Sequence, residues 1–278
     1  MIVITGANGG IGQAETRALA KSGQKIIMAC RNLEKAEQMR QQVVRETGNT
    51  EIEVMSLDLA SFASVFRFAG EIRERGEKVE VLINNAGIMC RDFQQTGDGL
   101  EMMTQVNYAA PYLLTRLLLP MMEDGGRIIN TTSCTYRMGK VDEDFFQLTG
   151  REYRLFPVYG STKLAVLLFT VELAERMEAR SIGVFAVDPG IVDTGIITMH
   201  RWFDPLADCF FRPFIKSPEK GAKAAVLLAG SDGKYASGTM WVDARERNMP
   251  VKVIRHPFRR KLWNMTEELL AGYLNDSR

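Results

Sequence analysis

Tyr159 and Lys163 stand four residues apart in Tyr159-Gly160-Ser161-Thr162-Lys163, and on a helix that separation puts both side chains on one face. Such a pair can make a proton donor. A free tyrosine titrates near ~10 and exchanges its proton poorly at neutral pH, but an ammonium within ~4–6 Å favours the phenolate and pulls the pKa down. Lowering it by about three units takes roughly 4 kcal/mol of differential stabilisation. The same spacing occurs on many solvated helix faces, so the chemistry depends on what other elements bring beside it.

Those elements alternate between strand and helix. Residues 1–5 are a short β-branched run that enters Thr5-Gly6-Ala7-Asn8-Gly9-Gly10-Ile11-Gly12, and residues 13–21 continue at helical spacing. Glycines between a strand and a helix let the backbone approach a pyrophosphate, whose charge meets the free N–H groups of the new helix; the same residues can also make only a tight turn. Residues 25–30 read as the second strand, ending at Arg31, where a dinucleotide fold usually places an acidic residue for the adenosine ribose. A guanidinium there can pair with a 2′-phosphate that a carboxylate would repel, which points to NADP as cofactor. A charged helix over 32–47 and a strand over 51–57 lead to Asp58 and Leu59. Asp58 either accepts from the adenine amino group or caps the helix beginning near Ser61.

The fourth strand, 79–83, runs into Asn84-Asn85-Ala86-Gly87, residues that suit both a turn and a cofactor wall. A helix from about 99 to 122 carries Asn107, and the fifth strand, 127–133, places Ser133 at its carboxyl end, where open parallel sheets bind ligands. Residues 137–156 form a polar, aromatic-studded excursion before the helix of Tyr159 and Lys163, which runs to about Ala179. The sixth strand, 182–187, exits through Asp188-Pro189-Gly190, and a last strand lies near 238–242. This alternation predicts an α/β fold: a Rossmann-type doubly wound parallel sheet of about seven strands, in order 3-2-1-4-5-6-7, with helices on both faces and all of 1–278 in a single domain. Residues 191–216, with Trp202, Phe203, Phe210, Phe211 and Phe214 among few charges, read as ordinary core or, more in keeping with their place after a strand end, as a lid over an apolar ligand. An amphipathic helix over 259–274 closes the chain.

Composition excludes several functions. A formal net charge of +1, with 46% hydrophobic and 25% charged residues, indicates neither disorder nor a polyanion-binding surface, so no nucleic-acid partner is expected. Cys30, Cys90, Cys134 and Cys209 are scattered without CxxC spacing, and His200 and His256 are the two histidines, so no metal site is expected and the thiols read as free in a reducing compartment. No apolar run approaches the ~18–20 residues that span a bilayer, and Met1 leads straight into Ile2-Val3-Ile4. The expectation is a cytoplasmic protein with no transmembrane segment, in which Trp202 and Phe203 beside Arg201 and Arg212 leave peripheral membrane contact open.

Taken together, Thr5-Gly6-xxx-Gly10-x-Gly12, Asn84-Asn85-Ala86-Gly87, Asn107, Ser133, Tyr159-xxx-Lys163 and Pro189-Gly190 resemble the short-chain dehydrogenase/reductase superfamily over nearly the whole chain. Ala29-Cys30-Arg31-Asn32, the stretch 107–115, the wide interval from Ser133 to Tyr159 and Leu262-Trp263-Asn264 look most like its retinol dehydrogenase and related carbonyl reductase branch. The chain departs from that branch at Tyr108 and Asp188, where histidine is common. The resemblance implies a catalytic set of Asn107, Ser133, Tyr159 and Lys163. Tyr159 exchanges a proton with the substrate oxygen, Ser133 holds that oxygen, Lys163 lowers the tyrosine pKa and binds the nicotinamide ribose, and Asn107 completes a water-mediated proton path. It implies NADP contacts from Gly6, Asn8, Gly10, Ile11, Gly12, Arg31, Asp58, Leu59, Asn85, Ala86, Gly87, Tyr159, Lys163, Pro189, Gly190, Val192 and Thr194, an apolar small-molecule substrate, and a homodimer or homotetramer. The activity expected is hydride transfer between NADP(H) and an apolar aldehyde, ketone or alcohol, retinoid, steroid or other lipid-like carbonyl. A non-catalytic NADP sensor of the same fold is the alternative, and it would have no use for the intact four-residue set.

Overall fold

The computed structural model describes residues 1–192, 216–231 and 234–275. Eight strands form one sheet in the order β3-β2-β1-β4-β5-β6-β7-β8. They are β1 (Ile2–Thr5), β2 (Ile26–Cys30), β3 (Ile52–Ser56), β4 (Val79–Asn84), β5 (Met122–Thr131), β6 (Gly183–Asp188), β7 (Thr239–Val242) and β8 (Arg245–Arg247). Pairing is parallel through β7. The central strands are buried along their length because helices cover both faces, so they read as continuous apolar runs such as Ile26-Ile27-Met28-Ala29-Cys30 rather than as alternating ones.

One face carries α1 (Gly10–Ala20), α2 (Leu33–Thr47) and α7 (Pro218–Ala229), packed on Ile2, Ile4, Met28, Val81, Ile83 and Phe185. The other carries α3 (Phe62–Glu74), α5 (Ala110–Leu118) and α6 (Leu155–Arg176), packed on Val3, Ile27, Leu82, Ile128 and Val184. Alternate residues of each strand thus serve opposite cores, as the two-residue period of a strand dictates. The sheet order reverses between β1 and β4, which pair directly, and the carboxyl ends of these two strands open the crevice where such sheets hold ligands.

Four expectations are corrected. The sheet has an eighth strand: Arg245-Glu246-Arg247 lacks any apolar alternation, and it pairs antiparallel with β7 through a turn in which Asp243 and Ala244 take φ 53° and 56°, the geometry of a two-residue hairpin usually given to Asn or Gly. The helix expected over 99–122 is broken into α4 (Met102–Thr104), a π-helical turn over Gln105–Ala109, α5 and a 3-10 turn over Leu119–Met121. The closing helix is likewise two, α9 (Arg259–Leu269) and α10 (Ala271–Asn275), after the short α8 (Val251–Ile254). Finally, α6, 22 residues long, contains an 18-residue stretch with the mean hydropathy of a membrane span, 1.2, although no such run stands out in the sequence; 72% of that stretch is buried inside the protein, so it is a core helix. The proposed lid falls almost wholly on 193–215, outside the described residues, as do Trp202, Phe203 and Thr194. Its two ends are described: Val192 and Lys216 form a parallel bridge, and the Lys216 N–H donates to Ile191 O at 2.8 Å.

Candidate active site

The glycine turn after β1 is a bare backbone surface. Gly6 sits at φ +64°, and any Cβ at Gly12 would collide with the Gly6 carbonyl oxygen and come within 2.6 Å of Asn85 Nδ2. Gly9 caps α1 in an extended conformation without a side-chain bond, and no acidic residue occupies the first turn. The first-turn N–H groups therefore face outward with the positive helix end behind them, and the residues present fit a dinucleotide diphosphate. Asn8 donates to Asn32 O at 3.2 Å, which lays the turn against the end of β2, where Arg31 is exposed at the rim. Asp58 accepts from Ala60 N–H at 3.0 Å, while Ser61 caps α3 by accepting from Ser64 N–H at 3.3 Å; of the two roles open to Asp58, the cap belongs to Ser61. Leu59 is buried beside it, and Ile11 and Val192 both press on Gly221 of α7.

Asn85 locks this cradle. Its Nδ2 donates to Thr5 O at 2.9 Å, and Ala86 N–H donates to Thr5 Oγ1 at 3.0 Å, so β1 and β4 are tied at their carboxyl ends. One residue earlier, Asn84 donates to Asn130 Oδ1 at 2.8 Å and to Thr115 Oγ1 at 3.0 Å, and Asn130 donates to Thr170 Oγ1 at 3.1 Å. This buried ladder crosses β4 and β5 to reach α5 and α6, fixing α6 against the strand ends.

Tyr159 and Lys163 do share a face of α6. Lys163 Nζ lies 5.5 Å from the centre of the Tyr159 ring, is buried, and donates to Thr131 O at 3.0 Å. A Cβ on Gly87 would stand 3.4 Å from Nζ and 3.5 Å from Asn107 Oδ1, so the Asn-Asn-Ala-Gly turn, the lysine and Asn107 meet at one point. The π-helical turn explains how Asn107 gets there: the widened turn swings its side chain to Ile88, whose carbonyl accepts from Nδ2 at 2.9 Å and whose N–H donates to Oδ1 at 2.8 Å. Asn107 thus braces the turn after β4, and its side chain makes no direct bond to Lys163. A cavity of about 10 Å³, roughly one water, borders it together with Asn84, Asn130 and Thr131. Ser133 opens the 3-10 turn Cys134–Met138, where its hydroxyl oxygen accepts from Thr135 N–H at 3.3 Å and keeps its own proton for donation.

Electrostatics differ from the sequence expectation. Burial pushes the Tyr159 phenol up to about 12, with Asp188 and then Cys134 adding to the rise, rather than Lys163 pulling it down. Burial also drags Lys163 down to about 8, against Asp188, which supports its charge. The physical reason is desolvation of both groups, together with an ammonium turned onto the Thr131 carbonyl under the ring rather than onto the phenolic oxygen. Tyr159 is therefore a neutral phenol, a proton donor, throughout the ordinary pH range.

Around Tyr159 an apolar cluster gathers Met89, Cys90, Phe93, Leu148, Leu155 and Val158. The excursion 139–154 packs on the loop after β4: Gly150 lies against the Phe93 ring and Tyr153 OH donates to Cys90 O. Met89 and Cys90 thus lie on the Tyr159 side, whereas Tyr136, on the turn after Ser133, is buried in the main core. Sequence reading missed the stem of this excursion. Gly139 and Gly160 touch backbone to backbone, a Cβ on Gly139 colliding with Gly160 O and one on Gly160 reaching 2.6 Å from Thr135 O, and Lys140 N–H donates to Ser161 Oγ at 2.9 Å. Pro189 and Gly190 form the turn after β6, with Gly190 at φ +77° and its N–H donating to Asp188 Oδ1 at 2.9 Å.

The short chain dehydrogenase family model matches residues 1–201. Retinol dehydrogenase 12 of Mus musculus is 36% identical over 282 residues, covering 98% of this chain and 86% of that protein. Among solved structures, an uncharacterized protein from Mycobacterium Paratuberculosis superposes with a TM-score of 0.76 at 30% identity over 97% of this chain and 92% of the other. A blue fluorescent protein from a metagenomic library, in complex with NADPH, gives 0.68 at 27% identity over 87% and 94%. With the glycine cradle, the Asn-Asn-Ala-Gly turn and the Tyr159–Lys163 helix in the places described, the chain belongs to the short chain dehydrogenase family of oxidoreductases, in its retinol dehydrogenase branch.

Proposed function

We propose that this chain, read as one dinucleotide-binding unit over 1–278, is an NADP(H)-dependent oxidoreductase that reduces apolar aldehydes or ketones and oxidises the corresponding alcohols. The observation that carries the reading is the meeting, at one sheet edge, of the bare glycine cradle with Tyr159 and Lys163 under an apolar cluster. Gly6, Gly10 and Gly12 would hold the diphosphate, Arg31 the 2′-phosphate, Asn85, Ala86 and Gly87 the wall beside it, and Lys163 the nicotinamide ribose hydroxyls. When bound, the nicotinamide supplies or accepts the hydride at the substrate carbon. Tyr159, kept protonated by its burial, gives its proton to the carbonyl oxygen, and the Ser133 hydroxyl steadies that oxygen by donating a hydrogen bond. The mouse relative's name refers to retinol, and the apolar surroundings of Tyr159 suit a substrate of that character. Turnover of a panel of carbonyls, followed by NADPH consumption, tests the reading. Tight NADPH binding without turnover of any of them would replace it with a dinucleotide-sensing protein.

Two expected results follow at this site. Arg31→Asp reverses the cofactor preference, because a pair of charge-assisted hydrogen bonds worth ~1.5–3 kcal/mol gives way to repulsion, so kcat/KM with NADPH falls by about 10- to 100-fold while NADH gains. Equal use of the two cofactors by the unmodified protein would remove Arg31 from this role. Along a series of straight-chain aldehydes, each methylene buried against Met89, Phe93 and Leu155 adds ~0.8 kcal/mol, about fourfold in kcat/KM, until the wall is filled. A rate independent of chain length would show that the cluster is protein core alone.

A further inference from the structure

We propose that the face built from α8, the turn after Ser133 and the start of α6 docks on an anionic lipid surface, so that the mouth of the site opens toward the bilayer. Among the described residues eight large apolar side chains are exposed, and four of them gather here: Val251 at 63%, Met138 at 55%, Ile254 at 43% and Phe156 at 42%. Single apolar residues on a surface are ordinary, whereas a cluster assembled from three separate segments marks a contact surface.

The helical period puts the apolar and basic side chains of α8 on one arc. Val253 is buried in the main core, and at ~100° per residue Val251, Ile254, Arg255 and Lys252 fall on the opposite side, where all four are exposed. Lys252 Nζ lies 5.3 Å from the centre of the Tyr136 ring, and the Arg137 guanidinium lies 5.2 Å from the same centre, so α8 stands beside the turn after Ser133 that exposes Met138. Gly160 packs against that turn, a Cβ on it standing 3.3 Å from the Met138 carbonyl carbon, and Phe156 lies one helical turn before Gly160 on the same face of α6. The exposed apolar residues therefore border Ser133 on one side and Tyr159 on the other.

Charge selects the occupant. In the stretch 245–255 the exposed Arg245, Arg247, Lys252 and Arg255 stand against a single acid, Glu246. Acids on neighbouring elements are taken: Asp243 pairs with Lys216, Glu143 with Lys261, and Glu172 and Glu175 with Arg259. A second copy of the chain joined through this face by a two-fold axis would set the cations against themselves. A nucleic acid would meet the cations and leave the four apolar side chains in water. An anionic bilayer answers both, its headgroups meeting the cations while Val251, Ile254, Met138 and Phe156 enter the acyl boundary. The inference goes beyond the oxidoreductase reading, and it gives an apolar molecule a direct way from the bilayer to Tyr159.

Flotation of the whole protein with lipid vesicles tests the proposal. Vesicles of phosphatidylcholine with phosphatidylserine should carry the protein up the gradient, vesicles of phosphatidylcholine alone should not, and raised salt should release it. Each cation at such a surface contributes about fivefold in affinity, so the double variant Lys252→Gln with Arg255→Gln should bind about 25-fold more weakly. Val251→Ser with Ile254→Ser should also bind more weakly, by about tenfold or more, through lost apolar burial. All four side chains are exposed, so both variants should keep the melting temperature and the NADPH affinity of the unmodified protein. No flotation with the anionic vesicles, or flotation unchanged in either variant, overturns the proposal. Binding of a DNA duplex in place of vesicles would assign the cations to a polyanion, and a dimer in sedimentation that both variants dissociate would assign the face to a second copy; either result overturns it as well. None of these measurements needs turnover, so their outcome is separate from whether a carbonyl is reduced.

Discussion

Tyr159→Phe lowers the rate of carbonyl reduction by about 10²–10⁴, the range of a lost general acid, while NADPH affinity stays nearly unchanged. Phenylalanine keeps the ring that packs beside Leu155 and Val158 and the face above which Lys163 Nζ lies, so neither the apolar cluster nor the lysine has reason to move. The loss is confined to the phenolic oxygen. Because burial holds that phenol near 12, the unmodified protein carries the donated proton throughout the neutral range, and the variant should be impaired equally across that range rather than rescued at one end of it. Lys163→Met should instead lose turnover and NADPH binding together. Steady-state rates and fluorescence titration of NADPH distinguish the two patterns, and a Tyr159→Phe protein keeping more than about a tenth of the activity would place the acid elsewhere.

Gly12→Ala abolishes dinucleotide binding. The added Cβ meets the carbonyl oxygen of Gly6 and the Asn85 amide at 2.6 Å, and neither can give way: one is backbone, and the other is the donor that ties β4 to Thr5 O at 2.9 Å. Overpacking of a close contact costs ~1–3 kcal/mol where it can be absorbed by shifts, and here the shift falls on the cradle itself. Calorimetric titration with NADPH should show no binding at concentrations that saturate the unmodified protein. The contrasting position is Gly70 on α3, away from the turn, where a Cβ meets nothing within 4 Å, and Gly70→Ala should bind normally. Equal binding by the two variants would mean that the diphosphate is held somewhere other than on this turn.

The sheet was legible because its strands are continuous apolar runs broken by glycine and asparagine turns, a pattern that local residue choice alone produces. Even so, β8 was not visible: Arg245-Glu246-Arg247 is exposed and owes its pairing to a hairpin turn that Asp243 and Ala244 adopt against their own preference. That Tyr159 and Lys163 share one face of a helix was readable from their spacing, but the path by which Asn107 reaches Ile88 was not, since the π-helical turn over Gln105–Ala109 has no apolar period of its own. The direction of the Tyr159 shift also lay outside sequence reasoning. Spacing on α6 gives the nearness of Lys163, whereas burial of the phenol and the anion at the end of β6 are supplied by elements far away in the chain. Gly139 and Gly160 illustrate the same limit, for their contact joins two stretches whose glycines look ordinary in isolation.

That backbone contact has an architectural consequence. Because the chain leaves at Gly139 and returns at Gly160 with a hydrogen bond from Lys140 to Ser161 across the gap, the segment between them is a loop whose closure is already fixed at its stem. Once two ends are held, lengthening a loop costs little, about 0.6 kcal/mol for each doubling. The stem therefore keeps Ser133 on one side and Tyr159 on the other in register, and because Val141 and Phe145 anchor the first part of the segment in the main core, it is residues 147–152, beyond those anchors, where a change of length or composition would be absorbed with least disturbance.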